Sequence, residues 1–292
     1  MELFVGPNVE ALIDLALEED QVGYDVTSAA FFDVDDRKRA RLVAKEPFVM
    51  AGAPVAKAVF ERVDSDIDWE AEVAEGQSVE PGDVVARLAG PVVSLLGAER
   101  TALNFLQRMC GVATITEDHV RAAGDADLRV VDTRKTLPGW RLLDKYAVRC
   151  GGGHNHRFNL AGGVMLKENH IAAADSIADA VERVRDQAPH TLRVEVEVEE
   201  LDEVRQAVDA GADIIMLDNM DNDELRRAVE VIRNHQRGSQ VVIEASGNMD
   251  QQRLATLEGI GLDVVSVGAL THSATAADIS MRLQGAEVGD DR

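Results

Sequence analysis

The order of apolar and polar positions changes character partway along the chain. Residues 9–20 place Val9, Leu12, Ile13, Ala16 and Leu17 at the spacing that lines one face of a helix. From residue 37 to 96 the pattern turns to short β-rich runs: Arg41-Leu42-Val43-Ala44, Phe48-Val49-Met50 and Val84-Val85-Ala86-Arg87-Leu88. Glu75-Gly76, Pro81-Gly82-Asp83 and Gly90-Pro91 mark the turns between them. Residues 98–107 read as a helix leading out of this first part. The pattern predicts an α+β domain that ends near residue 108.

Beyond it, short apolar runs recur at 128–131, 163–166, 192–198, 214–217, 241–243 and 264–267. Amphipathic helical stretches at 173–187, 201–210, 222–235 and 250–257 lie between most of them. Gly211 and Gly261 stand where a helix would end just ahead of the next strand. Alternating strand and helix at this spacing implies parallel strands with right-handed crossovers. No Gly-x-Gly-x-x-Gly follows a strand and no Walker A sequence occurs, which speaks against a dinucleotide fold or a P-loop. A closed or open α/β barrel fits better.

Polar residues follow the apolar runs. The first ends in Asp132-Thr133-Arg134-Lys135, the second in Lys167-Glu168-Asn169, and the third contains Glu195 and Glu197. Asp218-Asn219 closes the fourth, Glu244-Ala245-Ser246-Gly247-Asn248 the fifth and Gly268-Ala269 the sixth. In an α/β barrel these ends converge on one face, where the active site lies. Solvated loops would also be polar, but they need not supply so many cations.

Charge sharpens this picture. The chain of 292 residues carries a net charge of −23, so nucleic acid and anionic membranes are poor general partners. Against that background, Lys135, Lys145 and Lys167, half of all the lysines, lie in or beside one stretch with Arg134, His154, His156 and Arg157. Such a cationic knot in an anionic protein reads as a pocket for a multiply anionic small molecule. Acidic runs at Glu18-Glu19-Asp20, Asp33 to Asp36, Glu199-Glu200 and Asp290-Asp291 read as surface. They suggest a halophilic protein, because the Debye length falls to about 3 Å at 1 M salt and screens self-repulsion; ordinary acidic solubility is the plainer alternative. No apolar run approaches a membrane span, and Met1-Glu2-Leu3-Phe4 lacks the basic start of an export signal, so a cytoplasmic protein is expected. Cys110 and Cys150 read as reduced, buried thiols.

Several residues then acquire chemical meaning. Glu195, Glu197 and Glu199 alternate, which puts them on one face of a strand. Buried carboxylates need cations. Either they are counter-ions for Lys135 and Lys167, or Glu197 and Asp218 hold Mg2+ through water beside a substrate phosphate. Ser246-Gly247 and Gly268-Ala269 join strand ends to helices, where free backbone N–H groups can cradle a phosphate. Gly151-Gly152-Gly153 permits a sharp backbone path that presents Asn155, His156 and Arg157. A zinc site on His154-x-His156 lacks a third ligand. His119, His190 and His235 read as surface or capping residues, and Trp69 and Trp140 as packing.

Read together, Glu99-Arg100-Thr101-Ala102-Leu103-Asn104-Phe105, Asp132-Thr133-Arg134-Lys135-Thr136-Leu137-Pro138-Gly139, Lys145-Tyr146-Ala147-Val148, Gly151-Gly152-Gly153-His154-Asn155-His156-Arg157, Lys167-Glu168-Asn169-His170-Ile171, Ile215-Met216-Leu217-Asp218-Asn219, Glu244-Ala245-Ser246-Gly247-Asn248 and Ser266-Val267-Gly268-Ala269-Leu270-Thr271 closely resemble the quinolinate phosphoribosyltransferase family. The likeness runs from Glu19 to about Arg282. It implies an α/β fold: an N-terminal α/β sandwich over residues 1–108, with 270–292 packing back on it, then an open α/β barrel of fewer than eight parallel strands over 109–269. It implies transfer of phosphoribosyl from phosphoribosyl pyrophosphate (PRPP) to quinolinate with decarboxylation. The products would be nicotinate mononucleotide, pyrophosphate and CO2, in de novo NAD biosynthesis with Mg2+. It further implies a homodimer, open to higher assembly, in which Arg100 reaches the neighbouring active site. By the same likeness Arg100, Arg134, His156, Arg157 and Lys167 bind quinolinate, and Thr133 is a further substrate-binding residue. Lys135, Glu197 and Asp218 serve PRPP and metal, and Ser246, Gly247, Gly268 and Ala269 hold the phosphate. Gly162 stands where an acidic residue is expected. A related transferase acting on another heterocyclic acid, and a metabolite-binding protein without the chemistry, are the alternatives.

Overall fold

The structure is a computed structural model that describes residues 3–33, 35–124 and 127–284. In chain order the helices are α1 (Pro7–Glu19), α2 (Val26–Phe31), α3 (Ala53–Val63), α4 (Val92–Ala123), α5 (Arg141–Cys150), α6 (Glu168–Ile171), α7 (Ile177–Gln187), α8 (Leu201–Asp209), α9 (Asn222–Asn234), α10 (Gln251–Leu254) and α11 (Ala269–His272). The strands are β1 (Arg37–Ala44), β2 (Phe48–Val49), β3 (Asp68–Ala71), β4 (Ser78–Val79), β5 (Val84–Pro91), β6 (Arg129–Val131), β7 (Val164–Leu166), β8 (Val194–Val198), β9 (Ile214–Asp218), β10 (Val242–Ser246), β11 (Val264–Ser266) and β12 (Ile279–Leu283). They form two compact units. One comprises Met1–Ile115, Leu142–Gly152 and Ala274–Arg292; the other comprises Thr116–Arg141 and Gly153–Ser273.

The first unit is built on an antiparallel sheet of order β12-β1-β5-β3. Its outer strand β12 comes from the far end of the chain and pairs Ala44 with Ile279 through Ala40 with Leu283. Leu42, Val85, Val55, Val59 and Phe60 are fully buried, and the Phe60 ring packs on Trp69 with centroids 5.8 Å apart. Trp69 therefore packs, as its sequence context predicts. Cys110 is buried, while Cys150 is only partly so and donates to a Glu75 carboxylate at 3.7 Å. Burial pushes both thiols up, Cys150 to about 12, which leaves them unreactive. The helix read at 98–107 is one part of the 32-residue α4, which begins in this unit and ends in the other. The segment Leu142–Gly152, in sequence among the barrel residues, clusters with the first unit. Asp290-Asp291 and the end of segment 270–292 lie outside the described residues.

The second unit is a six-stranded parallel sheet of order β6-β11-β10-β9-β8-β7. Among the described residues β6 and β7 do not pair, so the barrel is open and has fewer than eight strands. Helices follow the strands because their apolar faces match the sheet: α9 buries Leu225, Ala228, Val229 and Ile232. Its start is fixed by Asp221, which accepts from Asp223 and Glu224 N–H, with Glu224 returning to the Asp221 N–H. The helix read at 173–187 begins later, at Ile177, because Ser176 caps it. The stretch 250–257 is helical only from Gln251 to Leu254. His119 corrects the surface reading: it is 4% exposed on α4. His235 caps the end of α9, and His190 is exposed. Among the described residues no helix is long and apolar enough to cross a membrane.

Candidate active site

The site lies where the strands of the second unit end. Parallel register aligns the inward positions. Glu197 pairs with Met216 and Met216 with Glu244, while Asp218 pairs with Ser246 and Met165 with Glu195. With a side-chain period of two, these residues share one face of the sheet. Thr133, Arg134, Lys135, His156, Arg157, Lys167, Glu197, Asp218 and Ser246 line one cavity of about 400 Å³, together with Met165, Met216 and Ser266. Of the cations read from sequence, Arg134, Lys135, His156, Arg157 and Lys167 are thus gathered around a common space, whereas Lys145 is buried in the first unit. Arg100 stands exposed on α4, in the first unit.

Asp132 organises the cationic loops. Fully buried at the end of β6, it accepts from Asn155 Nδ2 at 2.6 Å and from the His156 N–H at 2.9 Å. The His154 N–H donates to Val130 O, so the segment after the triple glycine lies along β6 as one bridge. Chain direction then carries His156 and Arg157 to the cavity. Arg157 donates to Gly163 O at 2.9 Å. Burial, and then the charge of Arg134, disfavour protonation of its guanidinium. Two Arg so close repel one another unless an anion joins them, which suits a carboxylate-binding pocket. Arg141 donates to Thr136 Oγ1, Arg134 O and Phe158 O, tying the two loops together.

Lys167 forms an ion pair with Glu197. In this state Glu197 acts as a counter-ion. Asp218 accepts from Asn219 Nδ2 at 2.8 Å. The two carboxylates line the same cavity and offer the hard oxygens that Mg2+ prefers, provided Lys167 releases Glu197. Glu199 does not join them: β8 stops at Val198, and the exposed Glu199 donates its N–H to Glu203 at the start of α8.

The small-residue loops are forced by contacts. Gly247 has φ +93°, and a Cβ there would come 2.2 Å from Asn219 Oδ1. Asn219 and Asn248 are also left-handed, at φ 55° and 48°. Gly268, which precedes Ala269 at the start of α11, is hemmed in: a Cβ would stand 3.1 Å from both Lys135 Cδ and His272 Nε2. Thr271 Oγ1 donates to Lys135 O, so α11 also holds the lysine backbone. His272 is a residue that sequence reasoning missed, because only the structure brings it, like Lys135, against Gly268. Gly162 is under no such constraint; a Cβ there would meet Arg157 Cβ at an ordinary 3.5 Å.

Beneath the cations, His156 meets two acids. Its Nε2 lies 3.4 Å from Glu195 Oε2 and 3.5 Å from Glu244 Oε2. Burial opposes charge on the ring, but hydrogen bonds to Glu195 and Glu244 outweigh it and push the imidazole up to about 10. The Arg157 N–H donates to Nδ1 at 2.7 Å and works the other way, since an imidazolium has no lone pair there. Burial also raises the Glu195 carboxyl, although His156 opposes it. A proton is therefore retained among the three groups. Their donor atoms lie within 4.8 Å of one another, close enough for a cation. The Nδ1 contact argues against one, because a metal-bound imidazole keeps its second N–H as a donor. His154 is exposed and takes no part in this cluster.

Comparison with known proteins identifies the family. The family models described as the quinolinate phosphoribosyl transferase N-terminal and C-terminal domains match residues 25–110 and 112–282. The chain belongs to the quinolinate phosphoribosyltransferase family. A probable nicotinate-nucleotide pyrophosphorylase [carboxylating] of Bacillus subtilis is 41% identical, covering 88% of this chain and 87% of the relative. The human nicotinate-nucleotide pyrophosphorylase [carboxylating] is 40% identical over 95% and 92%. NadC from Streptococcus pyogenes superposes with a TM-score of 0.92 at 42% identity, covering 97% of this chain and 99% of the other. The two-part family architecture, an N-terminal sheet unit followed by an open parallel barrel, is the architecture described above.

Proposed function

We propose that this chain transfers the phosphoribosyl group of PRPP to quinolinate and releases pyrophosphate and CO2, leaving nicotinate mononucleotide for NAD synthesis. The cavity ringed by Arg134, Lys135, Arg157 and Lys167 in a chain of net charge −23 carries this reading. Quinolinate is a dianion, and Arg134 and Arg157 can each grip a carboxylate in bidentate fashion. Lys135 and the loops at Ser246-Gly247 and Gly268-Ala269 would meet the phosphates. Glu197 and Asp218 would hold Mg2+, which when bound neutralises the departing pyrophosphate.

Loss of pyrophosphate leaves positive charge on the ribose, and carboxylate at Glu197 favours that charge. Once the pyridine nitrogen is bonded to ribose it is cationic. Its charge stabilises the electron pair left on the adjacent ring carbon when the C–CO2 bond breaks, and a proton taken up at that carbon gives nicotinate mononucleotide. The protein positions the reactants and excludes water around them. The same reading includes a homodimer with Arg100 entering the neighbouring site, a cytoplasmic location and tolerance of high salt. PRPP-dependent release of pyrophosphate and CO2, assayed with quinolinate and with nicotinate at low and molar salt, tests it. Turnover of nicotinate alone, or PRPP binding without pyrophosphate release, would defeat it.

A further inference from the structure

His156 sits at the cavity wall, yet both of its ring nitrogens are already engaged by the protein. Nδ1 accepts the Arg157 N–H at 2.7 Å. Nε2 is flanked by Glu195 at 3.4 Å and Glu244 at 3.5 Å. Each of these acids is only 3% exposed, and each leaves its Oε1 without a hydrogen-bond partner. Two carboxylates buried this deeply with an unmet oxygen are costly. Neither fold nor capping requires them, since apolar residues would fill the same inward positions of β8 and β10. Their shared feature is the imidazole between them.

We propose that Glu195 and Glu244 are positioning residues for the quinolinate half of the site, acting through His156. They fix the ring from the Nε2 side while the Arg157 backbone fixes it from the Nδ1 side. The imidazole then offers the cavity carbon surface, not an N–H. It packs against the flat substrate ring, and the grip on the carboxylates is left to the arginines. Clamping His156 through the Arg157 N–H also sets the backbone from which the Arg157 guanidinium departs. The proposal rests on the functional reading above, and it assigns His156 a different contact from the hydrogen bond that its polarity suggests.

The test uses the full-length protein. KM values for quinolinate and PRPP are measured separately for wild type, Glu244→Ala, Glu244→Gln and Glu195→Gln. Glu244→Ala should raise KM for quinolinate about tenfold, the scale of one charge-assisted hydrogen bond, with KM for PRPP within about twofold. Glu244→Gln keeps an acceptor oxygen in the same shape and should recover part of the loss. Equal rises in both KM values, or no rise, would overturn the proposal. A second measurement does not depend on any variant folding: quinolinate is added without PRPP to protein labelled with 15N-histidine. The His156 ring nitrogens should stay at their free-protein positions. A displacement of the size produced by a new bond or a change of tautomer would show that the substrate bonds the ring directly and would refute the assignment. Wild type that fails to turn over quinolinate defeats the functional reading itself and removes this proposal with it. Active wild type with unaffected variants defeats the positioning role alone.

Discussion

At the scale of single residues, Arg134, Lys135 and Arg157 differ from the other surface cations because they face one cavity together. Replacing any of them by Ala should cut turnover at least ~100-fold, the usual cost of losing a preorganised charge partner. Steady-state assay of the purified variants checks this, and near-normal rates would reassign the residue. Arg157→Lys should not restore activity, because an ammonium cannot reproduce the forked contact to a carboxylate. Asp132 is different in kind. It touches the His156 backbone and the Asn155 amide, so its loss should loosen the loop that carries His156 and Arg157. The cationic residues were legible in the chain because their types and clustering are unusual for so acidic a protein. The link from Asp132 to Asn155 and His156 was not legible, since it depends on a loop returning along β6 over more than twenty residues of chain.

At the scale of elements, alternation of apolar runs and amphipathic stretches was enough to place strands β6 to β11 and helices α7 to α9, because each has a period that burial enforces. Leu225 on α9 is fully buried. Leu225→Ala should therefore lower unfolding free energy by about 2–5 kcal/mol, read by urea denaturation, with little change in substrate KM. Asp221 caps the same helix, and the backbone N–H of Glu224 holds its carboxyl below the usual range. A depressed carboxyl stabilises the fold above its unfolded pKa, and this contribution is lost as pH falls through the folded value. The stability gap between wild type and Asp221→Asn should thus be present at neutral pH and close in strong acid, as followed by circular dichroism. Short elements were less sharply drawn. The single turns α6, α10 and α11 have too few residues to show a full period, so α10 fills only part of the stretch read at 250–257, and α4 runs unbroken through the boundary at 108 although it contains Gly97 and Gly111.

At the scale of the whole molecule, charge dominates. A net −23 on 292 residues implies strong self-repulsion in dilute buffer. The acidic runs Glu18-Glu19-Asp20 and Glu199-Glu200 are exposed, as their composition suggests. The melting temperature should rise between low and molar KCl if these charges reflect life in salt. Equal melting temperatures in both would assign them to ordinary solubility. Steering of anionic substrates toward a negative protein depends on the local positive field of the cavity, so kcat/KM should respond to salt separately from stability.

The sequence by itself determined the class of fold, the parallel direction of the strands and the family. These depend on periodicity, turn chemistry and local motifs, which act over a few residues and leave a readable trace. The tertiary structure alone decided which side chains of different strands meet, that Glu199 leaves the strand while Glu195 and Glu244 both reach His156, and that His272 and Lys135 both close on Gly268. Such contacts depend on register and on where a strand stops; a shift of one residue reverses every side chain, and no local pattern encodes the partner on the other side.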